Sequence, residues 1–135
     1  IESHRQTGRA AAVLNTSSIA GVTGIGSSVA YAATKGALNT MTLSLARALA
    51  PEIRVNAICP GFIGTRWFKD KMDEDQYQRM EASVAAATPL NVASGPDDIA
   101  DSALFFLTDA SRHVTGETLL VDAGTHLGYA PLTAR

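Results

Sequence analysis

The sequence has 135 residues, of which 46% are hydrophobic and 18% charged, and its formal net charge is −2. This composition excludes collagen, long coiled coils and disordered chains, and it favours one folded unit or part of a larger one. No apolar run approaches the roughly 18 residues that a membrane-spanning helix needs, and the single Cys59 has no partner for an internal disulfide. Lys and Arg form no cluster with interleaved aromatic residues, which argues against a nucleic acid as partner. We therefore expect a soluble, cytoplasmic protein.

The first half of the chain predicts a strand, a loop and a long helix. Residues 9–15 are nearly continuously apolar, which indicates a strand buried on both faces of a parallel sheet. A loop containing Gly21, Gly24 and Gly26 follows. Residues 28–50 then carry apolar side chains at intervals of three and four before Pro51, so we expect an amphipathic helix there.

The second half continues the alternation of strands and helices. Residues 53–59 predict a second strand, which Pro60 and Gly61 interrupt, and residues 65–90 predict a helical excursion rich in aromatic side chains. Pro96, followed by two aspartates, begins a helix that runs to about residue 107, and residues 117–122 predict a third strand. This order indicates an α/β fold with a parallel sheet whose three strands leave one edge without a partner.

Candidate functional side chains follow the predicted strands, where ligands bind in open α/β sheets. Tyr31 and Lys35 lie four residues apart near the start of the long helix, so they occupy one face, one turn from each other. An ammonium close to a phenol favours the phenolate, which suits a tyrosine that exchanges a proton near neutral pH. The pair alone is also compatible with an ordinary contact on a surface helix.

Several motifs in a fixed order carry a family resemblance. Residues 13–18 read Val-Leu-Asn-Thr-Ser-Ser, Tyr31 lies thirteen residues after Ser18, and residues 55–61 read Val-Asn-Ala-Ile-Cys-Pro-Gly. Together with the segment from Pro96 to Asp122, they resemble the short-chain dehydrogenase/reductase family over nearly the whole chain. The resemblance implies a Rossmann-like, doubly wound parallel sheet, of which this chain supplies the last three strands, and nicotinamide-dependent oxidoreduction of carbonyls and alcohols.

The resemblance also assigns roles to individual residues. Tyr31 exchanges a proton with the substrate oxygen while hydride moves between the substrate and the nicotinamide ring. Lys35 binds the ribose hydroxyls next to the nicotinamide, and Ser18 donates a hydrogen bond to the substrate oxygen, with Ser17 as the near alternative.

A second group of residues is implied to bind the cofactor through the backbone. Pro60, Gly61 and Ile63 meet the nicotinamide carboxamide, and Thr65 contacts the phosphate side of the cofactor, although a threonine at that place is also a common helix cap. The cofactor is NAD or NADP, which the sequence does not distinguish. His113 and His126 show no spacing typical of metal ligands, so no metal is expected.

The glycine run at residues 21–26 resembles a phosphate-binding loop but departs from the family pattern. Two residues rather than three separate Gly21 from Gly24, so we interpret the run as a flexible loop on the substrate side. The 135 residues then contain no cofactor-binding glycine loop. We therefore expect the chain, residues 1–135, to be the carboxyl-terminal, catalytic portion of one dehydrogenase domain.

Two classes of function follow. The first is a ketone reductase or alcohol dehydrogenase, including one similar to 3-oxoacyl-acyl-carrier-protein reductases, with residues 65–90 as a helical lid over a partly apolar substrate. In that lid Arg66 either meets an anionic substrate group or is simply solvated, and the apolar residues either line the substrate or dock a short helix. The alternative is a non-catalytic subunit that serves assembly or binds a nucleotide.

The resemblance implies a homodimer or homotetramer, formed through the stripe of Ala30, Ala33 and Ala37 and the last strand.

Overall fold

The computed structural model describes residues 1–128, apart from the side chain of Ser3. The elements are α1 (Glu2–Thr7), β1 (Ala11–Thr16), α2 (Ala20–Thr23), α3 (Val29–Leu49), β2 (Ile53–Pro60), α4 (Arg66–Lys69), α5 (Glu74–Ala86), α6 (Pro96–Leu107) and β3 (Thr118–Val121). Short 3₁₀ turns lie at Asp109–Ser111 and Thr125–Leu127. The predicted strands and the two long helices are present, with ends that differ by at most two residues. The predicted helical segment 65–90 is instead two helices, α4 and α5, and the second of them ends at Ala86.

The three strands form one parallel sheet in the order β1-β2-β3. In the register, Val13 pairs with Val55 and Ile58 pairs with Leu119. The sheet confirms the predicted α/β fold with parallel strands. Its middle strand β2 is buried from Arg54 to Pro60, as expected for a strand with neighbours on both edges and helices on both faces.

Helices cover the two faces of the sheet. On one face Ile58 packs with Ile99 and Phe106 of α6. On the other face the Cys59 thiol contacts the Asn39 side chain of α3, with 3.6 Å between Sγ and Oδ1. Because consecutive residues of a strand point to opposite faces, α3 and α6 lie on opposite sides of β2. This is the doubly wound arrangement that the family resemblance implies.

The prediction that the first strand is buried on both faces is wrong for this chain. Val13, in the middle of β1, is 41% exposed. Within the described residues β1 pairs only with β2, and α3 lies mainly over β2. The strand β1 therefore carries apolar side chains that the described part of the chain does not cover.

The glycine run is a loop only in its second part, because residues 20–23 form the short helix α2, whereas Gly24 and Gly26 lie outside it. A Cβ atom added to Gly21 would lie 2.5 Å from the carbonyl carbon of Lys35, so α2 approaches the backbone of α3 as closely as only glycine permits. Gly24 ends α2 with φ 74°, a left-handed conformation typical of a glycine C-cap.

Both long helices begin as the sequence predicts. Ser28 caps α3 by accepting a hydrogen bond from the Tyr31 N–H at 3.1 Å. Pro96 is the first residue of α6, and Asp98 reaches back to the Gly95 N–H at 2.7 Å. These caps fix where the two helices meet the carboxyl edge of the sheet.

Residues 1–128 contain neither a membrane-spanning helix nor a metal-binding cluster. None of the helices there has the length and apolar content needed to cross a lipid bilayer. The same residues contain no cluster of three or more His, Cys, Asp or Glu side chains arranged to hold a metal ion. Residues 129–135 lie outside the described part.

Candidate active site

The carboxyl ends of the three strands are tied together by backbone hydrogen bonds. Past the end of β1, the Ser17 N–H donates to the Ile58 carbonyl at 2.7 Å, and the Ile19 N–H donates to the Pro60 carbonyl at 3.0 Å. Past the end of β2, the Gly61 N–H donates to the Val121 carbonyl at 3.1 Å. The loops that carry the candidate site residues therefore leave the sheet side by side, at the edge where ligands bind in this architecture.

Tyr31 and Lys35 occupy adjacent turns on the same face of α3. The Lys35 ammonium lies 5.7 Å from the centre of the Tyr31 ring. It also donates a hydrogen bond of 2.9 Å to the carbonyl of Thr16, the last residue of β1. Tyr31 is 39% exposed, and its hydroxyl makes no hydrogen bond with any described residue. The phenol is therefore open to an incoming ligand beside a cation that the sheet holds in place.

The turn of α3 that carries Lys35 is held from the sheet side. Ser17 is 4% exposed, and its hydroxyl donates a hydrogen bond of 3.1 Å to the Lys35 carbonyl. Gly21 packs against the same carbonyl and against the Gly36 nitrogen. The backbone at Lys35 therefore has little freedom to move away from the sheet.

Ser18 lies between β1 and α2, two residues after the last residue of the strand. Its Oγ accepts a hydrogen bond of 3.1 Å from the Ala20 N–H, which leaves the hydroxyl hydrogen free to be donated. Ser17, the alternative from the sequence, spends its hydroxyl hydrogen on Lys35 and is buried. This geometry favours Ser18 over Ser17 as a donor to a ligand.

The predicted cofactor segment forms the continuation of β2. Pro60 ends the strand, and Gly61 follows it. A Cβ atom added to Gly61 would lie 2.8 Å from the Cβ of Asp122. Ile63 is half-buried and packs against the core beneath α6. Thr65 precedes α4 at the N-cap position, but its side chain makes no capping hydrogen bond. The Thr65 hydroxyl therefore does not cap α4, although the sequence allowed that interpretation.

Asp122 is a residue of this edge that the sequence reasoning passed over. It is 5% exposed and accepts hydrogen bonds from the backbone N–H groups of Gly124 at 3.0 Å and His126 at 2.8 Å. Its carboxylate also lies 2.9 Å from Nδ1 of the His126 ring. The signal in the sequence is an aspartate two residues before a glycine at the end of a strand, which is typical of an Asx turn. Asp122 fixes the turn after β3, against which Gly61 packs.

The predicted lid consists of α4 and α5, and its aromatic residues fall into two groups. Tyr77 is 4% exposed, lies against Gly64, and donates a hydrogen bond of 3.2 Å to the Glu81 carboxylate. Burial, reinforced by Glu81, raises the pKa of Tyr77, so this phenol stays protonated. Trp67 is 63% exposed instead. Tyr77 therefore docks α5, whereas Trp67 remains available to a ligand.

Cys59 does not add a nucleophile to the site. The residue is fully buried beneath α3. Burial raises the pKa of its thiol, so the sulfur is held in the unreactive protonated form.

Several known proteins have sequences similar to most of this chain. Residues 2–126 match the family model described as Enoyl-(Acyl carrier protein) reductase. The short-chain dehydrogenase/reductase homolog YusR of Bacillus subtilis (strain 168) is 40% identical over 86% of this chain and 84% of its own length. The Granaticin polyketide synthase putative ketoacyl reductase 2 of Streptomyces violaceoruber is 38% identical over 85% of this chain and 44% of its own. The inactive 2-(S)-hydroxypropyl-CoM dehydrogenase 2 of Xanthobacter autotrophicus (strain ATCC BAA-1158 / Py2) is 36% identical over 86% of this chain and 51% of its own.

Solved structures of related proteins also match most of this chain. A short-chain dehydrogenase/reductase from Burkholderia xenovorans matches with a TM-score of 0.75 and 43% identity, over 90% of this chain and 44% of that one. ElxO with NADP bound matches with a TM-score of 0.79 and 28% identity, over 93% of this chain and 50% of that one. Apart from YusR, the chain thus spans about half the length of these matched proteins, from 44% to 51%.

Proposed function

The chain belongs to the short-chain dehydrogenase/reductase family, and we propose that it supplies the proton-transfer and nicotinamide-facing part of an NAD(P)-dependent oxidoreductase. The reaction is the transfer of hydride between the nicotinamide and a carbonyl or alcohol substrate. One observation carries this proposal. The Lys35 ammonium, which is hydrogen-bonded to the end of β1, lies 5.7 Å from the ring centre of Tyr31, whose hydroxyl has no partner among the described residues.

Tyr31 is the proton donor in the proposed reduction. When the substrate carbon gains hydride, negative charge develops on the carbonyl oxygen, and the Tyr31 hydroxyl transfers its proton to that oxygen. The nearby Lys35 ammonium stabilises the phenolate that remains. In the oxidation direction the same phenolate takes the proton from the alcohol. Ser18 donates its hydroxyl hydrogen to the same oxygen and stabilises the charge as it forms.

Lys35 has the hydrogen-bonding capacity for a second role. An ammonium carries three N–H donors, and the Thr16 carbonyl takes one of them. The remaining two suit the vicinal hydroxyls of a ribose. When bound, the nicotinamide supplies the hydride chemistry that no side chain of this chain provides.

The segment after β2 is the proposed wall of the nicotinamide site. Pro60, Gly61 and Ile63 offer backbone groups to the carboxamide, and Thr65 offers an uncommitted hydroxyl toward the phosphate side. Both NAD and NADP remain candidates. The bound cofactor named for ElxO, NADP, supports a dinucleotide of this class.

The substrate class we propose is a ketone or the corresponding secondary alcohol, including a ketoacyl compound. The support comes from the names of the matched proteins, a ketoacyl reductase and an acyl-carrier-protein reductase family model. Residues 65–90 contribute an exposed aromatic ring, Trp67, that suits a partly apolar substrate.

The second candidate is a subunit that binds nucleotide or partner without turnover. One observation favours it, since a relative that is 36% identical carries the word inactive in its name. Fluorescence of NADH and NADPH on mixing with the purified protein separates the two candidates. Binding accompanied by turnover supports the enzyme, and binding without turnover of any ketone supports the alternative.

The Tyr31→Phe variant tests the enzyme directly. We expect turnover to fall by between about a hundredfold and ten-thousandfold, because the proton donor is lost, while the fold and nicotinamide binding persist. The matched control is Ser44→Ala, which removes an exposed hydroxyl from the same helix and is expected to retain activity. Circular dichroism and cofactor fluorescence check the two retained properties. Undiminished turnover in Tyr31→Phe would contradict the proposal.

A further inference from the structure

A cavity of about 480 Å³ opens beside Thr65, at the end of the predicted cofactor segment. We call it the α4 cavity, because most of its wall is α4 and the two residues before that helix. Its lining residues are Gly64, Thr65, Arg66, Trp67, Lys69 and Pro96. The cavity thus follows the proposed nicotinamide wall along the chain, and Thr65, Arg66, Trp67 and Lys69 in its lining belong to the segment 65–90 that the sequence predicts as a substrate lid.

The charged groups in the wall of the α4 cavity are both cations. Arg66 and Lys69 form no ion pair with any carboxylate in residues 1–128, although acidic side chains lie close by in the sequence. The Lys69 ammonium sits 4.8 Å above the ring centre of the buried Tyr77, which gives it a defined position. Positive charge therefore accumulates in a concave site without a counter-ion from the described chain, as is typical of an anion-binding site.

Trp67 adds an apolar wall to the same cavity. Its ring is 63% exposed, yet neighbouring side chains hold it on two sides. Phe68 meets it edge-on with 4.7 Å between ring centres, and the Lys71 ammonium lies 3.3 Å from the Trp67 ring centre. A large exposed aromatic side chain that is already positioned is a common feature of ligand sites, since little conformational entropy is lost on binding.

We propose that the α4 cavity binds an anionic group of the substrate, a carboxylate or a phosphate, while the reacting carbonyl lies at Tyr31 and Ser18. This inference rests on the proposed function and names its substrate class, a carbonyl compound with an anionic tail. The planar guanidinium of Arg66 suits two oxygens of such a group, and Lys69 adds a point charge. Trp67 contacts the apolar part that connects the two ends.

Matched pairs of keto acids and their methyl esters, of increasing tether length, test the inference. Turnover is followed by the absorbance of NADH or NADPH in wild-type protein and in Arg66→Gln, Lys69→Gln and the double variant. We expect wild-type kcat/KM to favour the acid at one or more tether lengths. Each single variant should lower the acid-to-ester ratio by about tenfold, mainly through the KM of the acid. High ionic strength should reduce the same ratio, because it screens a partly exposed charge.

Arg79→Gln is the matched control, because Arg79 is an exposed cation of α5 that does not line the cavity. It should leave the acid-to-ester ratio unchanged. An unchanged ratio in both Arg66→Gln and Lys69→Gln would overturn the inference, as would wild-type protein that reduces esters and acids equally well. A rise in the KM for NADH or NADPH alone would also overturn it, since the anion would then be the cofactor's phosphate. Reduction of neither member of any pair would instead count against the proposed function itself.

Discussion

Lys35 owes its position to contacts at both ends of the residue. Its ammonium is hydrogen-bonded to Thr16, and its backbone carbonyl accepts the Ser17 hydroxyl. Gly21, in α2, packs against the same carbonyl. The spacing of Tyr31 and Lys35 reveals the pair in the sequence, but it reveals neither Ser17 nor Gly21. Both act through contacts with Lys35 across the fold, a hydroxyl hydrogen bond from Ser17 and a close backbone approach at Gly21, and no local pattern encodes such contacts.

Gly21→Ala tests how closely α2 must approach α3. The added Cβ would lie 2.5 Å from the carbonyl carbon of Lys35 and 2.7 Å from the Gly36 nitrogen, so the helices must separate. We expect a loss of about 1–3 kcal/mol in the free energy of unfolding, measured by urea denaturation, because overpacking forces the backbone to shift. Nicotinamide binding, followed by fluorescence, should weaken as the Lys35 turn moves.

Gly36→Ala is the matched control across the same helix contact. Its added Cβ would meet the Gly21 carbonyl oxygen at 3.5 Å, an ordinary contact. Since Gly36 lies inside α3, alanine there should raise the free energy of unfolding by about 0.5–1 kcal/mol. Equal denaturation midpoints for Gly21→Ala and wild type would contradict this description of the α2–α3 contact.

The longer elements were predictable because their signals are redundant. The helix α3 combines a serine cap, apolar periodicity and a terminating proline, and α6 combines Pro96 with a capping aspartate. The helices α1 and α2 were not predicted, because they have 6 and 4 residues and show no periodicity. Helices this short depend on tertiary contacts for stability, since nucleation is costly. For α2 the stabilising contact is the packing of Gly21 against the backbone of α3.

The segment of residues 65–90 shows a second limit of sequence reasoning. Helical spacing indicated an amphipathic helix but did not distinguish a lid over a ligand from a docked helix. The structure separates the aromatic residues, because Tyr77 is buried against Gly64 and Trp67 is exposed beside Arg66. Burial depends on how α4 and α5 fold back onto the chain, and neither composition nor periodicity contains that information. The role of the segment as a substrate lid stays a prediction.

The molecule as a whole exposes more apolar surface than its composition suggested. On α3 the exposed residues include Val29, at 89%, Met41, at 48%, and the predicted alanine stripe of Ala30, Ala33 and Ala37. On α6 Leu104 and Phe105 are exposed as well. Surface of this kind on two helices is typical of an interface. We therefore propose that α3 and α6 associate with further copies of the chain. The family resemblance implies such an interface for the alanine stripe of α3 and for the last strand, and the exposed residues of α6 add that helix.

Ala37→Glu tests this association. A carboxylate in the middle of the alanine stripe would be buried without a partner at such an interface, so the assembly should weaken. Light scattering coupled to size exclusion should show a dimer or tetramer for wild-type protein and a smaller species for Ala37→Glu. The matched control, Ala82→Glu on the exposed side of α5, should keep the wild-type mass. A wild-type monomer would contradict the proposal.

The most direct measurement follows the hydride itself. The purified protein is incubated with a ketone and with NADH or NADPH carrying deuterium at the transferable position, and the product alcohol is analysed by mass spectrometry. We predict an alcohol that gains one deuterium on the former carbonyl carbon with the wild-type protein, and loss of that product with Tyr31→Phe. An alcohol without deuterium, or equal labelling by Tyr31→Phe, would contradict the assignment of Tyr31, Lys35 and Ser18 to nicotinamide-dependent reduction.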